Sequence, residues 1–297
     1  MNNQQIFEHY NIKPVSIKKV GSATIITTND KKYVMKNRNK NQEFFNYLAI
    51  RNFNNFPNLY SSPTDKIELM DYIDEQTTPK EQKIEDLIYL TSILHTKTTF
   101  YKNTDLDSVK EVYENTIDIN NELYNYYNNI QDMIEMEVYM SPANYLLIRN
   151  ISIIYLALRK SREYIEKWYG IMKKEQKMRY VYIHGNLKDE HLRESNDLYL
   201  ISWDKSRIDL PIYDLEILYK NSFLDISLDK MLEIYELKYP SKKEELYLLI
   251  AQLLLPDKID FNLAEYTKTK QITNMVLYIN QILSYLENNT NKPNYNA

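Results

Sequence analysis

The chain has 297 residues, of which 43 % are hydrophobic and 26 % are charged, and its formal net charge is −4. These proportions predict a globular protein, and the mixture of acids and bases provides no basic surface for nucleic acid or an anionic membrane. Cysteine is absent, which excludes disulfides, thiolate metal sites and cysteine nucleophiles.

Neither a secretion signal nor a membrane span is expected. The amino-terminal residues have no basic segment followed by an apolar run, as a signal peptide would have. The longest apolar runs, at 151–158 and 247–255, are too short to cross a bilayer. We therefore predict a cytoplasmic protein.

The first predicted elements form a β-hairpin. Residues 15–20 alternate weakly and lead to Gly21, and strands are predicted at 25–28 and 32–36. This order places Gly21 at the entrance of the hairpin and Lys36 at the end of its last strand.

A helix and two more strands complete a small first lobe. Apolar side chains at helical spacing predict a helix at 41–53, which carries Glu43. Short strands are predicted at 58–61 and 67–72. The pattern changes soon after the last strand, so we assign residues 1–76 to one lobe.

The rest of the chain is predicted to be mostly helical. Helical periodicity starts at Lys83 and dominates residues 77–287, which we assign to a second lobe. Ser141 and Pro142 are typical of a helix amino terminus. Helices are predicted at 83–95, 105–136, 142–176, 228–238, 242–255 and 268–286. The polar segment 288–297 is predicted to be a frayed tail.

Residues 181–215 contain the side chains with the most chemical potential. We predict a strand, a sharp turn, a second strand and a loop that enters a helix. Two of the four histidines, His184 and His191, lie here, and so does Gly185, one of three glycines. Because glycine is so scarce in this chain, Gly185 predicts a tight turn or a positive φ angle.

Several familiar catalytic motifs are absent from the sequence. It contains no GxxxxGK[ST] phosphate-binding loop, no HExxH zinc motif and no GxSxG nucleophile elbow. We interpret His9 and His95 as structural histidines. Lys36 and Glu43 form the pattern of a strand lysine and a helix glutamate with which kinase folds hold the α and β phosphates of a nucleotide. A plain surface ion pair explains the same two residues, so both interpretations stay open.

Three motifs resemble those of the aminoglycoside phosphotransferase/choline kinase-like superfamily. Its members usually carry three motifs in this order. The first is HGDxxxxN. The second is five residues long, with two hydrophobic residues, an Asp, a Trp or Phe, and an Asp or Glu, and the third is a YDL-like segment. The corresponding segments here are HGNLKDEH at 184–191, LISWD at 200–204 and YDL at 213–215. LMDYID at 69–74 is similar to the family's hinge, and LH at 94–95 is similar to the end of its first large-lobe helix.

The resemblance implies a fold, a nucleotide and a set of site residues. The carboxy-terminal part, with LLPDK at 254–258, most resembles the spore-coat protein S kinase-like group of firmicutes. The implied fold is α+β, two-lobed and protein-kinase-like, with a small N-terminal β-rich lobe and a large, mainly helical C-terminal lobe. The implied nucleotide is ATP, bound by Gly21, Lys36, Glu43, Met70 and Tyr72. A catalytic-type loop that contains His184 is implied within 181–204. Gly185, Trp203 and Asp214 are implied to have structural roles.

The chain departs from the family at each polar catalytic position. Asn186 stands where the family has the aspartate that accepts the proton of the substrate hydroxyl, and an amide has no useful basicity. His191 and Ser202 stand at the two metal-ligand positions, and both are poor ligands for Mg²⁺. Asp204 is the one suitable ligand nearby, since on an extended strand its side chain would share the face of Ser202.

These departures predict a pseudokinase with lost or strongly reduced phosphoryl transfer that can still bind a nucleotide, with Mg²⁺ not expected. The first alternative is an active ATP-dependent kinase for an aminoglycoside- or choline-type hydroxyl, in which Asp204 or Asp189 takes over. The second alternative is a structural, spore-coat-associated protein without a ligand. The location is then cytoplasmic or spore-associated, and no small-molecule or protein partner is identified.

Overall fold

The amino-terminal part of the chain forms a five-stranded antiparallel sheet. The computed structural model describes residues 7–37, 42–60 and 67–290. The strands are β1 (Ser16–Val20), β2 (Ala23–Thr27), β3 (Lys32–Asn37), β4 (Leu59–Tyr60) and β5 (Ile67–Asp71), in the order β1-β2-β3-β5-β4. The strands predicted here are confirmed within the described residues, with boundaries shifted by one or two residues; residue 61 of the predicted strand 58–61 lies outside the described residues.

The first hairpin of this sheet follows from its local sequence. Gly21 and Ser22 form a two-residue connection between β1 and β2. Gly21 has a φ angle of 57°, a left-handed conformation that glycine adopts without steric cost. The buried residues of the small core beside the sheet are Ile12, Ile26, Met35 and Leu69.

Helices dominate the remainder of the chain. Helix α1 (Gln42–Ile50) belongs to the amino-terminal part. The others are α2 (Lys80–Thr98), α3 (Leu106–Glu135), α4 (Pro142–Met172), α5 (Ile212–Ser222), α6 (Leu228–Glu236), α7 (Lys243–Leu253) and α8 (Glu265–Thr290). Helix α4 packs against α3, α7 and α8, and its buried Trp168 is part of the main core. The predicted cap of α4 is confirmed, because Ser141 Oγ accepts a hydrogen bond from the backbone N–H of Asn144 at 3.3 Å.

A central strand of the helical part leads into the segment that the sequence analysis singled out. Strand β7 (Lys177–Ile183) pairs on one side with β6 (Phe100–Asn103) and on the other with β10 (Arg207–Asp209). The sequence did not predict β6 and β10, because strands this short show no clear alternation. The strand predicted after the turn corresponds to β9 (Leu198–Leu200), which pairs with β8 (Leu192–Glu194) in a separate small sheet.

The carboxy-terminal end differs from the prediction. Residues 288–290 were expected in a frayed tail, but they form the last turn of α8. The Asn289 side-chain amide donates to the Tyr285 carbonyl at 2.9 Å and to Asp229 Oδ1 at 3.3 Å, which holds this turn against α6. Residues 291–297 lie outside the described residues.

The connection between the two parts runs from the end of β5 at Asp71 to the start of α2 at Lys80. The predicted boundary at residue 76 falls within it, and the division into lobes at that residue stays a prediction. None of the helices in the described ranges is long and apolar enough to span a membrane.

Aromatic side chains join the sheet-bearing part to the helical part. Trp203 is 3 % exposed, and the rings of Phe44 and Phe53 lie 5.6 and 6.1 Å from its ring. The Asn55 side chain donates to the Leu198 carbonyl at 2.8 Å, and the Asn55 carbonyl accepts a second bond from the end of β9. These contacts hold Trp203, and the segment around it, against the small sheet-bearing part.

Candidate functional site

One buried carboxylate anchors the turn after β7. Asp214, in the first turn of α5, accepts hydrogen bonds from the backbone N–H groups of His184 at 2.7 Å and Gly185 at 2.8 Å. His95 Nε2 lies 3.1 Å from the same carboxylate, and His95 Nδ1 lies 2.6 Å from the Tyr235 hydroxyl. Burial alone would raise the pKa of Asp214, but its hydrogen bonds and the neighbouring histidines outweigh burial and hold that pKa below its usual value. His95 is the structural histidine that the sequence predicted.

The His184 imidazole is enclosed under this turn. Its Nε2 donates a hydrogen bond to the Ile201 carbonyl at 2.9 Å, which places the proton on Nε2. Its ring lies 4.8 Å from the ring of Trp203. Burial lowers the pKa of His184, so the ring is neutral at physiological pH. His184 thereby links the turn to the segment that contains Ser202.

Gly185 has the backbone conformation that the sequence predicted. Its φ angle is 74°, in the left-handed region. A Cβ atom at this position would lie 2.5 Å from the Lys205 carbonyl oxygen. Glycine is therefore required here both by the φ angle and by the close approach of a second backbone segment.

Asn186 and His191 lie on the same loop and are joined by a hydrogen bond. His191 Nδ1 donates to the backbone carbonyl of Asn186 at 2.5 Å. His191 Nε2 lies 3.9 Å from Glu190 Oε1. The imidazole of His191 is therefore used to close the loop on itself.

The Ser202 segment turns where an extended strand was expected. Ser202 has a φ angle of 66°, and Trp203–Lys205 form a single 3₁₀ turn. The reasoning that placed Asp204 on the face of Ser202 by strand alternation is therefore wrong, because a chain that turns does not alternate with a period of two. Ser202 and Asp204 nevertheless line the same cavity.

That cavity has a volume of about 190 Å³ and lies between the small sheet and the Ser202 segment. Of the predicted nucleotide and metal positions, it is lined by Lys36, Met70, Tyr72, Ser202 and Asp204. Most of the remaining wall is apolar and comprises Val20, Ala23, Ile25, Val34, Pro57, Ile73 and Ile201. The structure therefore brings Lys36 next to Asp204, which lies 168 positions further along the chain.

Other predicted site residues take different places. Gly21 lies in the hairpin turn, and its chain neighbours Val20 and Ser22 line the cavity. Among the described residues, Glu43, Asn186 and His191 do not line it. Glu43 is exposed in the first turn of α1, and the other two lie on the loop after β7.

Lys36 contacts two carboxylates at the edge of the cavity. Its Nζ lies 3.2 Å from Glu68 Oε1 on the neighbouring strand β5 and 3.2 Å from Asp204 Oδ1. The Lys36 side chain is 15 % exposed and that of Glu68 only 3 %, whereas that of Asp204 is 40 % exposed. The ion pairs of Lys36 described here are with Glu68 and Asp204. The expected pairing of Lys36 with Glu43 stays a prediction.

Sequence reasoning missed Glu68 and Arg193. Glu68 faces Lys36 directly in the β3–β5 register, and Met70 lies two residues further along the same strand. An acid inside an otherwise apolar strand was the available signal, because such an acid needs a buried partner. Arg193, which also lines the cavity, forms an ion pair with Glu75 in the connecting segment. Only the tertiary structure reveals that Arg193 lies at the cavity.

No group of three or more His, Asp or Glu side chains within 7–37, 42–60 and 67–290 has an arrangement that could hold a metal ion. Asp189, proposed as a substitute for the lost acids, lines a separate small depression with Lys80 and Asn221. Asp204 is therefore the one substitute acid that the structure places beside Ser202.

Solved structures share the fold of this chain. An aminoglycoside phosphotransferase from Alicyclobacillus acidocaldarius superposes with a TM-score of 0.72, over 97 % of this chain and 96 % of its own, at 11 % sequence identity. The fold is that of the aminoglycoside phosphotransferases. The α+β, two-lobed, kinase-like fold predicted from the sequence is confirmed.

Two further phosphotransferases match more loosely. A spectinomycin phosphotransferase in complex with ADP and spectinomycin has a TM-score of 0.53 at 14 % identity, over 95 % of this chain and 97 % of its own. A choline kinase from Streptococcus pneumoniae has a TM-score of 0.46 at 13 % identity, over 97 % of this chain and 99 % of its own, an overlap too loose to inform the site. No protein-family model matches the sequence, and no curated protein matches it.

Proposed function

We propose that this chain is a nucleotide-binding pseudokinase, a protein of phosphotransferase fold in which phosphoryl transfer is lost or strongly reduced. The observation that carries the proposal is the composition of the cavity. It keeps Lys36 and an apolar wall, while a serine stands at the position that the resemblance assigns to a metal-binding aspartate. Membership of the spore-coat protein S group and a cytoplasmic or spore-associated location belong to the same proposal.

The cavity residues fit a nucleotide. Apolar side chains such as Ile25, Met70 and Ile201 suit the flat face of a base, and Lys36 supplies a cation for a phosphate. Tyr72 and Ile73, in the segment similar to the family's hinge, lie at the same wall. When bound, ATP would supply an anionic phosphate chain next to Lys36, and the spectinomycin phosphotransferase complex with ADP supports this class of ligand.

The same residues fit Mg²⁺ poorly. Mg²⁺ prefers carboxylate and phosphate oxygens in an octahedral arrangement. Ser202 offers only a hydroxyl group. The Nδ1–H group of His191 donates a hydrogen bond to a backbone carbonyl, and the Asp204 carboxylate forms an ion pair with Lys36. Asn186, at the base position, cannot accept a proton from a hydroxyl. Loss of the base and of both metal ligands would remove most of the electrostatic stabilisation that phosphoryl transfer requires.

ATP is expected to raise the melting temperature of the whole protein equally with Mg²⁺ and with EDTA. At 100 times the dissociation constant, a ligand that binds only the folded state stabilises it by about 2.7 kcal/mol, which corresponds to a shift of roughly 5 °C for a chain of this size. Differential scanning fluorimetry measures the shift that ATP causes in three buffers, which contain Mg²⁺, Mn²⁺ or EDTA. Absence of any shift would favour the structural protein without a ligand.

The active-kinase alternative is favoured by one observation, namely that the exposed carboxylate of Asp204 lies in the cavity beside Ser202. In that case the ATP shift would depend on Mg²⁺ or Mn²⁺, and ATP turnover would be abolished by Asp204→Ala but retained in Asp189→Ala. Under the pseudokinase proposal, turnover stays at background in the unmodified protein and in both variants.

Removal of Lys36 is expected to weaken ATP binding about tenfold or more, because a hydrogen bond to a charged group contributes about 1.5–3 kcal/mol. The double variant Lys36→Met/Glu68→Gln removes both charges, so that the carboxylate of Glu68 is not left beside an apolar side chain. Lys32→Met is the matched control, since Lys32 lies on the same strand but forms an exposed ion pair with Asp74. Isothermal titration would measure the affinities, and an unchanged affinity in the double variant would mean that the nucleotide binds elsewhere.

A further inference from the structure

Apolar side chains are exposed to solvent at the turn between α3 and α4. Met136, Val138 and Tyr139 are 82, 86 and 91 % exposed, although methionine and valine are among the residues most often buried. Further exposed side chains of this kind lie beside the turn, and we define the tip patch as Met136, Val138, Tyr139, Met140, Tyr145 and Tyr266. The Lys36 cavity uses none of these residues.

Hydrogen bonds hold the turn in one shape. The Asn144 side-chain amide donates to Glu137 Oε1 at 2.8 Å. The Ala143 backbone N–H donates to Glu265 Oε1 at 2.7 Å, which fixes the start of α8, and with it Tyr266, beside the start of α4. Association through this surface would therefore order few additional groups, and its entropic cost is correspondingly small.

The exposed area of the tip patch corresponds to that of a stable interface. Its three tyrosines are between 59 and 91 % exposed, and a tyrosine can bury about 200 Å², so they alone present roughly 400–500 Å² to solvent. The largest apolar patch of a typical monomer is about 300–600 Å², whereas each partner in a stable complex buries about 600–1,000 Å². The two methionines and the valine bring the tip patch into the second range.

The charges around the tip patch favour a protein surface over a lipid surface. Asp132 and Glu135 are exposed on α3, and Arg149 is exposed on α4, one turn after Tyr145. The two carboxylates would repel an anionic membrane. Charges of both signs suit a second copy of the chain, because in a twofold arrangement Arg149 of each copy can face the two carboxylates of the other.

We propose that the tip patch is the interface of a homodimer with twofold symmetry. The apolar side chains of the two copies pack against each other and are removed from water. Arg149 of each copy lies opposite Asp132 and Glu135 of the other copy. Because a twofold contact uses the same surface on both copies, it closes on itself, and association stops at two chains.

Sedimentation equilibrium of the whole chain tests the proposal. At about 50 μM the unmodified protein is expected to contain dimers and no larger species, because interfaces of this size have dissociation constants of about micromolar or lower. Tyr139→Asp is expected to raise the dissociation constant at least about tenfold, since it buries a charge in the apolar interface. Leu237→Asp, directly after α6 and outside the tip patch, is the matched control and should dimerise like the unmodified protein. Both replaced side chains are exposed, so neither variant should unfold.

Charge reversal tests the pairing across the interface. Arg149→Glu and the double variant Asp132→Arg/Glu135→Arg should each dimerise more weakly than the unmodified protein, because like charges then face each other. An equimolar mixture of the two variants should recover the unmodified dissociation constant, since opposite charges face each other at both ends of the mixed dimer.

Four results would overturn the proposal. They are a single chain at about 100 μM, where an interface of this size should be populated, an assembly larger than two chains, a Tyr139→Asp variant that dimerises as tightly as the unmodified protein, and a mixture that dimerises no more tightly than its separate components. If the chain were single, flotation with phosphatidylcholine vesicles would show whether the tip patch binds a lipid surface instead.

Discussion

Replacement of Asp214 by alanine is expected to lower the free energy of unfolding by about 3–5 kcal/mol, the largest effect of any single carboxylate that we consider. The Asp214 side chain is fully buried and accepts two backbone N–H groups from the turn after β7. Its removal leaves those donors and the ring of His95 without an acceptor in an enclosed space. Because native stabilities are only about 5–15 kcal/mol, a loss of this size is expected to leave the variant only marginally stable at room temperature.

Urea denaturation of Asp214→Ala and Asp214→Asn, followed by circular dichroism, measures this effect. Asparagine keeps one acceptor oxygen at the same place, so Asp214→Asn should fall between the alanine variant and the unmodified protein. Glu163→Ala is the control, because Glu163 also has two partners, Lys160 and Lys167, but lies on the surface of α4. An exposed ion pair contributes at most about 1 kcal/mol. Equal losses for Asp214→Ala and Glu163→Ala would contradict an anchoring role for Asp214.

The Asp214 carboxylate also makes the free energy of unfolding depend on pH in the acid range. The pKa of Asp214 is lower in the folded protein than in the unfolded chain, where an aspartate titrates near about 3.9. Its contribution to stability is therefore complete above the unfolded pKa and is lost as the pH falls through the folded pKa. Asp214→Asn should lack this part of the acid destabilisation, which urea midpoints between pH 7 and pH 3 would reveal.

Substitution of Gly185 by alanine is expected to cost about 3 kcal/mol. A left-handed φ angle costs a residue with a Cβ atom about 1–2 kcal/mol, and overpacking in an enclosed place costs about 1–3 kcal/mol more. Both costs apply at Gly185, because its φ angle is 74° and the new Cβ atom would meet the Lys205 carbonyl oxygen at 2.5 Å. That backbone atom cannot rotate away as the end of a side chain could.

The other two glycines of the chain provide matched controls for this prediction. Gly21→Ala has the same kind of φ angle but open space around its Cβ atom, so it should cost only about 1–2 kcal/mol. Gly170→Ala lies within α4 in open space and should instead stabilise the protein by about 0.5–1 kcal/mol. Urea midpoints should therefore follow the order Gly170→Ala, unmodified protein, Gly21→Ala and Gly185→Ala, from highest to lowest. If Gly185→Ala and Gly21→Ala were equal, the Lys205 backbone would have to be able to move aside.

The sequence by itself determined the features that depend on neighbouring residues. The hairpin of β2 and β3, the cap at Ser141 and the left-handed turn at Gly185 each follow from a few adjacent side chains. The spacing of apolar residues determined most of the helices, and the resemblance of the motifs determined the phosphotransferase fold.

The tertiary structure alone decided how those pieces meet. The β3–β5 register sets Glu68 opposite Lys36, and a 3₁₀ turn, where alternation predicted a strand, brings Asp204 to the same ammonium group. Asp214 reaches the turn at Gly185 from 29 residues away, because the first turn of α5 lies against the backbone of His184 and Gly185. Local preferences cannot encode such meetings, since each depends on strand register and on the packing of segments that are distant in the chain.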